Sequence, residues 1–281
     1  MSDNHLIKNA KRLTNAEYHD LPHLGSTTLK TLDREGPAYL AAMQACPKRP
    51  ESRALTFGAA VHAVMDGTFL DQYSVAPESY KTATSDKFLQ LAADTDRPLL
   101  TTQEAAEVTA CGNALRAALG PFIAGRQKLV EPSFLWTQET ARYKVPCKCR
   151  PDMLLIDAES NAIYVEIKTA AQTGLHAWRS SCWQFGYWLQ QAHYEAGIIA
   201  SGAASVRTVF VVVRKSLPYD VQCYSFSADD AAAAESRWLT LIDEYARRVE
   251  ENDWRGGDLF NPVEIVLGVK DPAILEGFDN G

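Results

Sequence analysis

The sequence predicts an α/β (α+β) chain in which a central mixed β-sheet is flanked by helices, and three observations point there. Helical periodicity runs to about residue 123; short β-branched and aromatic runs separated by polar turns follow; helical segments then return on either side of one continuous apolar strand. No internal repeat or low-complexity linker divides the 281 residues, so a single domain over 1–281 is expected.

The elements follow in order. Ser26, before Thr27-Thr28-Leu29-Lys30, is placed to cap a helix whose apolar face is Leu29, Leu32 and, past an interruption at Gly36-Pro37, Tyr39-Leu40. Pro47 to Pro50 is a basic loop. The run from Thr56 through Met65 reads as a buried helix of small residues with His62 inside it. Residues 72 to 102 are polar and irregular, with short helical patches. Glu104 to Ile123 is an Ala/Leu-rich helix with a potential break at Gly120-Pro121. Four strands follow at Val130–Thr137, Ala141–Lys148, Asp152–Asp157 and Ala162–Thr169, mostly antiparallel because their connections are short. A helix spans about Ala177 to Ala200 and carries Trp178, Trp183, Phe185, Tyr187, Trp188 and Tyr194. Arg207 to Lys215, centred on Val209 to Val213, has the unbroken apolar character of a strand buried on both faces. A strand at Tyr219–Phe226 leads to Ser227, which caps a long amphipathic helix with Ala234, Trp238, Leu241, Ile242, Tyr245 and Val249 on one side.

Composition bounds the function. With 46% hydrophobic and 22% charged residues, the chain can bury a sizeable core, which excludes disorder throughout. Uninterrupted apolar runs such as Val209 to Val213 fall far short of the roughly 18 residues of a spanning helix. Met1-Ser2-Asp3-Asn4-His5 does not open a secretory signal, so a cytoplasmic location without a membrane is expected. The net charge of −7 argues at first against nucleic acid. Its distribution weakens that argument: the segment from residue 227 onward carries 13 acidic and 5 basic residues, leaving 22 and 23 in the body. The densest basic stretch, Arg126 to Arg150, runs up to Asp152. The six cysteines lack paired CxxC spacing and read as free thiols rather than as zinc or iron–sulfur ligands.

The chemistry concentrates in Arg150-Pro151-Asp152 and Tyr164-Val165-Glu166-Ile167-Lys168-Thr169. Side chains alternate along a strand, so Ile163, Val165 and Ile167 face a core while Tyr164, Glu166 and Lys168 share the other face. A turn near Asp157 to Asn161 would bring Asp152 close to Glu166. Two converging carboxylates suit a hard divalent cation such as magnesium, and the ammonium beside them can orient a water. Glu-x-Lys also occurs on solvated edge strands, and the context decides between the two readings. His62 fits either a satisfied core histidine or a ligand, and Glu131 either a surface residue or a ligand. Arg142, Lys144, Lys148 and Arg150 share one strand face, which either lines a DNA channel or forms a polar edge.

The order Ser26-x-x-Leu29, Gly58-x-x-x-His62, Glu131, Arg150-Pro151-Asp152, Glu166-Ile167-Lys168-Thr169 and Gln190-x-x-x-Tyr194 resembles the RecE (exonuclease VIII)-like nucleases of the PD-(D/E)xK superfamily, which have a restriction-endonuclease-like core. It covers about residues 20–215 and leaves a C-terminal strand and acidic amphipathic helix in 216–281. The resemblance implies a magnesium-dependent 5′-to-3′ exodeoxyribonuclease, with manganese able to substitute. Such an enzyme digests linear double-stranded DNA in a bacterial host or its phage and leaves 3′ tails for a RecT-like single-strand annealing protein. It implies that Asp152, Glu166 and the Ile167 carbonyl hold the metal, that His62 and Glu131 complete its shell or hold a second ion, and that Lys168 positions the attacking water. Gln190 and Tyr194 would contact the DNA, joined by the basic Arg150, Lys148 and Arg179. It also implies a homo-oligomer, a ring in processive relatives. The C-terminal cysteines of the iron–sulfur relatives are missing, so no such cluster is expected. The readings left beside this one are an endonuclease or single-strand-specific nuclease of the same fold, and a catalytically silent DNA-binding module.

Overall fold

A computed structural model describes residues 5–46 and 52–256. The basic loop at Pro47–Pro50, the first four residues and the tail from residue 257 lie outside the described residues. The chain opens with α1 (His5–Asn9), α2 (Asn15–Asp20), α3 (Ser26–Glu35), α4 (Pro37–Ala45), α5 (Arg53–Asp66) and the short α6 (Phe69–Gln72). A small parallel pair, β1 (Ser74–Val75) and β2 (Leu99–Leu100), brackets α7 (Asp86–Ala93) and precedes α8 (Thr102–Ile123). Then come β3 (Gln127–Val130), β4 (Phe134–Glu139), β5 (Lys144–Cys149), β6 (Met153–Ile156) and β7 (Asn161–Ala170). The last elements are α9 (Leu175–Phe185), α10 (Tyr187–Ala200), β8 (Ser205–Arg214), β9 (Val221–Tyr224) and α11 (Ala228–Glu251). Among the described residues, no helix is long and apolar enough to cross a membrane.

The central sheet is mixed, in the order β3-β6-β7-β8-β9. Short turns make β3–β6, β6–β7 and β8–β9 antiparallel, whereas β7 and β8 are parallel over ten residue pairs, from Asn161↔Ser205 to Ala170↔Arg214. A parallel pair needs a long crossover, and α9 with α10 supplies it. β4 and β5 form a separate antiparallel hairpin, and β5 is also bridged in parallel by Leu24 through Cys147.

Four boundaries differ from the sequence expectation, each for a local reason. The strand expected at Val130–Thr137 is two strands, because Glu131 adopts a left-handed φ of 44° and Pro132 has no N–H for a ladder. The helix expected at Ala177–Ala200 breaks at Gly186, whose φ of 62° caps α9. Gly120-Pro121 does not break α8, since Pro121 lies in the last turn and forfeits a single intrahelical bond. Ser26 is the first helical residue rather than the cap, a place taken by Gly25. The cap at Ser227 is as expected, its hydroxyl accepting the Asp230 N–H.

Both faces of the sheet are covered. Val165, Ile167, Val209, Val211 and Val213 pack with α5 and α8 through Val61, Val64, Val108 and Leu115. On the opposite face, Leu154, Ile156 and Tyr164 pack with α3, α10 and α11 through Leu29, Leu189 and Trp238. The face that carries Glu166 and Lys168 is therefore roofed by helices, which makes β7 an interior strand of near-continuous burial.

Candidate active site

Asp152 sits at the turn into β6, and the antiparallel register that sets Met153 opposite Val165 carries it to the middle of β7. Its Oδ2 accepts the Ile167 backbone N–H at 2.7 Å, and its Oδ1 lies 3.8 Å from His62 Nδ1. Glu166, only 3% exposed, is held on both oxygens. Oε2 accepts the Tyr164 hydroxyl at 2.5 Å, while Oε1 accepts the Lys168 ammonium at 2.5 Å and the Gln190 side-chain amide. Gln190 also donates to the Tyr164 hydroxyl at 3.2 Å and accepts from Lys30 at 3.4 Å. The Tyr194 ring, one turn further along α10, lies 5.2 Å from that of Tyr164. The Lys168 ammonium stands 4.8 Å over the Tyr187 ring.

Electrostatics separate the two carboxylates. Burial, reinforced by the charge of Glu166, pushes Asp152 up to about 6. Burial also works to raise Glu166, but the Lys168 charge and the hydrogen bonds from Lys168, Tyr164 and Gln190 overcome it and hold the group below its ordinary value. Burial opposes the charge on Lys168, yet Glu166 and Asp152 keep it above its ordinary value. Glu166 and Lys168 thus stand as an ion pair, with Asp152 the less readily ionised partner. Lys30 behaves oppositely: burial and then the Lys168 charge lower it to about 8.

Asp152, Glu166, Lys168, Gln190 and Tyr194 come together, and His62 approaches Asp152. Glu131 is placed beside Asp152 through its backbone, its N–H donating to the Asp152 carbonyl at 3.0 Å, while its side chain is exposed. Among the described residues no three His, Cys, Asp or Glu side chains are gathered closely enough to hold a metal ion on their own. The donor chemistry nevertheless fits a divalent cation. Two ionisable carboxylates converge so closely that one raises the other, and both Asp152 oxygens and Oε2 of Glu166 keep a lone pair beyond the bonds described, whereas Oε1 of Glu166 is taken up by Lys168 and Gln190. The Ile167 N–H faces Asp152, while its side chain is buried in the core.

The basic residues stand apart from this group. Lys148 is 8% exposed, and its ammonium donates to the carbonyls of Tyr18 at 2.7 Å and Leu21 at 2.8 Å. Arg150 donates to Ser133, Asn15 and the Leu13 carbonyl, with its guanidinium 4.1 Å over the Tyr18 ring. Both cations clamp the N-terminal segment to the β4–β5 hairpin instead of lining an open channel. Lys144 is exposed but pairs with Glu139 at 2.7 Å. Arg179 is exposed on α9. Sequence reasoning missed Lys30, Tyr187 and Asp66. Tyr187 had a signal, since 187, 190 and 194 fall on one helical face. Asp66, one turn after His62, is raised by burial and then by the Glu131 charge, which places it in their neighbourhood.

A mixed sheet with Pro151-Asp152 at the start of one strand and Glu166-Ile167-Lys168 in the middle of its neighbour defines the class, that of PD-(D/E)xK nucleases. More narrowly, the chain belongs to the family described as "PDDEXK-like domain of unknown function (DUF3799)", which matches residues 25–255. Nucleases of this class use divalent metals. Among solved structures, the chain is similar to one titled "Putative exonuclease" from Eubacterium rectale, with a TM-score of 0.56 and 11% identity over 96% of this chain and 99% of that one. At that identity the likeness is one of fold. A second, titled SSO0001, overlaps 69% of this chain and 86% of its own at 14% identity and a TM-score of 0.32, too slight to bear on the fold. No curated protein matches the chain.

Proposed function

We propose that the chain is a magnesium-dependent exonuclease that hydrolyses linear double-stranded DNA 5′ to 3′, leaving 3′ single-stranded tails for an annealing protein. The observation that carries the nuclease reading is the buried Asp152–Glu166–Lys168 group in the middle of β7 and at its β6 edge. Asp152, Glu166 and the Ile167 carbonyl would hold the metal, with His62 and Glu131 beside them. A bound divalent ion supplies charge stabilisation at the phosphoryl oxygens and lowers the pKa of a water. Lys168, fixed by Glu166, is a cation aimed at the place where negative charge grows as the phosphodiester is attacked, and it orients the water. Gln190 and Tyr164 keep Glu166 in one rotamer and so hold the ammonium in place. Polarity, the annealing partner and a ring-shaped homo-oligomer in a bacterial host rest on the ordered motifs, and a cytoplasmic location on the polar first residues. The name of the Eubacterium rectale structure supports the exonuclease reading.

The test is digestion of duplexes labelled at the 5′ or the 3′ end, with magnesium, with manganese and with chelator, alongside closed circular DNA. Mononucleotides released from 5′ ends, with circles intact, are expected. Nicked circles would replace this reading with an endonuclease, and wild-type protein inert with both metals would sink it.

A further inference from the structure

Tyr39 and Phe122 are exposed singly, but two other exposed aromatic residues lie together. Trp183 is 73% exposed at the end of α9 and Phe185 is 44% exposed beside it. The Trp183 ring lies 5.8 Å from that of Trp188, across the left-handed Gly186 that separates the two helices. The two indoles form a ridge between two clefts. The larger, of about 490 Å³, is lined by Trp178, Arg179 and Phe226, and the smaller, of about 150 Å³, by Lys30, Arg34 and Phe185. The aromatic surface continues to the candidate active site: Phe185 lies 5.7 Å from Tyr187, which carries the Lys168 ammonium on its face.

We propose that the Trp183–Phe185–Trp188 ridge is a stacking platform for unpaired nucleotides of the DNA strand at the Glu166–Lys168 site. Exposed contiguous aromatic surface marks a binding site rather than a solvated helix face. Its charge selects the occupant. The side chains of Lys30, Arg34 and Arg179 flank the rings; Lys30 reaches Gln190 and Arg34 pairs with Glu35, while Arg179 makes no hydrogen bond or ion pair among the described residues. Asp33 pairs with Arg237 and Asp230 accepts from Ser227, so the acidic groups of the clefts are already engaged. Interleaved cations and exposed rings suit a phosphate backbone whose bases lie open, because aromatic stacking serves any base and a paired duplex hides its base faces. A protein partner would also use tryptophan and arginine, but a path of rings ending at Lys168 leads to where a phosphodiester must sit. The platform presupposes the nuclease reading.

The test uses the full chain with calcium in place of magnesium. It compares binding of a fluorescent oligothymidylate and of a blunt duplex by anisotropy for wild type, Trp183→Ala and Trp183→Phe. Trp183 is largely exposed, so the variants keep the core. Trp183→Ala is expected to bind the single strand about tenfold more weakly, the loss of one base stack, with little change for the duplex and with affinity regained in Trp183→Phe. Oligothymidylate should quench wild-type tryptophan fluorescence more than that of Trp183→Ala. Unchanged single-strand affinity, or equal loss for strand and duplex, overturns the platform. So does an effect of Trp183→Ala confined to self-association, which would assign the ridge to another copy of the chain. A wild-type protein without nuclease activity whose strand binding still falls in Trp183→Ala sinks the nuclease reading and leaves the ridge a strand-binding surface without a cleavage site; an active nuclease with unaltered strand binding overturns the platform and leaves the nuclease reading.

Discussion

The side-chain amide of Gln190 and the ammonium of Lys168 donate to the same oxygen, Oε1 of Glu166. Gln190 is 5% exposed and reaches Glu166 from α10, whereas Lys168 reaches it along β7. A helix roofing the sheet thus fixes the rotamer of a carboxylate on a strand. Gln190→Ala should lower the turnover of linear duplex by about a hundredfold, the usual cost of a misplaced reacting group. Duplex affinity should fall much less. Separate measurement of kcat and KM checks this, and a loss confined to KM would make Gln190 a binding residue instead.

Divalent-metal binding should appear in stability before activity is assayed. If Asp152 and Glu166 hold the ion, a hundredfold excess over Kd stabilises the wild type by about 3 kcal/mol. Asp152→Asn should lose most of that shift. Thermal melts with and without magnesium read the difference, and an equal shift in both proteins would move the site away from Asp152.

Lys148 should matter for stability rather than for DNA. Its ammonium satisfies the carbonyls of Tyr18 and Leu21. Lys148→Met should therefore cost about 1–3 kcal/mol, the penalty for leaving such groups unpaired. Denaturant titration measures the loss, and protease should cut the segment around residues 12 to 22 more readily. A normal unfolding midpoint with weakened, less salt-sensitive DNA binding would restore Lys148 to a phosphate-contacting role.

His193 sets an acid limit. It is fully buried between β5 and α11, with Nε2 against the Lys148 carbonyl at 3.0 Å and Nδ1 accepting the Trp238 indole N–H at 3.0 Å. Burial lowers it to about 4 from an ordinary 6.5. Between these values the unfolded chain binds the proton and the folded chain does not. Stability is therefore full above pH 6.5 and falls as the pH drops toward 4, by up to about 3 kcal/mol from this group. The fall in unfolding midpoint from pH 7.5 to pH 5 should shrink or reverse in His193→Gln, where the Asp152 carboxyl, raised to about 6, favours the folded chain as the pH drops.

Two glycines should respond with opposite sign. A Cβ on Gly197 would lie 2.6 Å from the Trp136 ring and 2.9 Å from Cys149 Sγ, so Gly197→Ala should destabilise by about 1–3 kcal/mol. At Gly120, inside α8, nothing lies within 4 Å, and Gly120→Ala should stabilise by about 0.5–1 kcal/mol. Thermal melts of the two variants check both.

What the sequence revealed of the site was what a strand's period of two encodes. Tyr164, Glu166 and Lys168 do share a face, and Asp152 does return to it by the turn before Asn161. That this face is interior was not legible, because its cover comes from Gln190 and Tyr194 in a helix that only the tertiary fold brings over. The same limit misdirected Lys148 and Arg150: even spacing put them on one face, but Tyr18, their common neighbour, lies about 130 positions away in the chain. Some errors had signals. Pro132 forbids a continuous ladder through Val130–Thr137, and Gly186 interrupts an otherwise aromatic helix.

β7 is the middle strand of five, bonded to β6 on one edge and β8 on the other, with a hydrophobic core on each face. Hydrogen exchange at Glu166 and Lys168, which lie within the β8 ladder, should accordingly be among the slowest in the chain, reached only by global opening, whereas the Ile167 N–H is held by the Asp152 carboxylate past the end of β6. Activity and folded sheet would then vanish together across a denaturant series, leaving no intermediate in which the scaffold survives while its chemistry has gone.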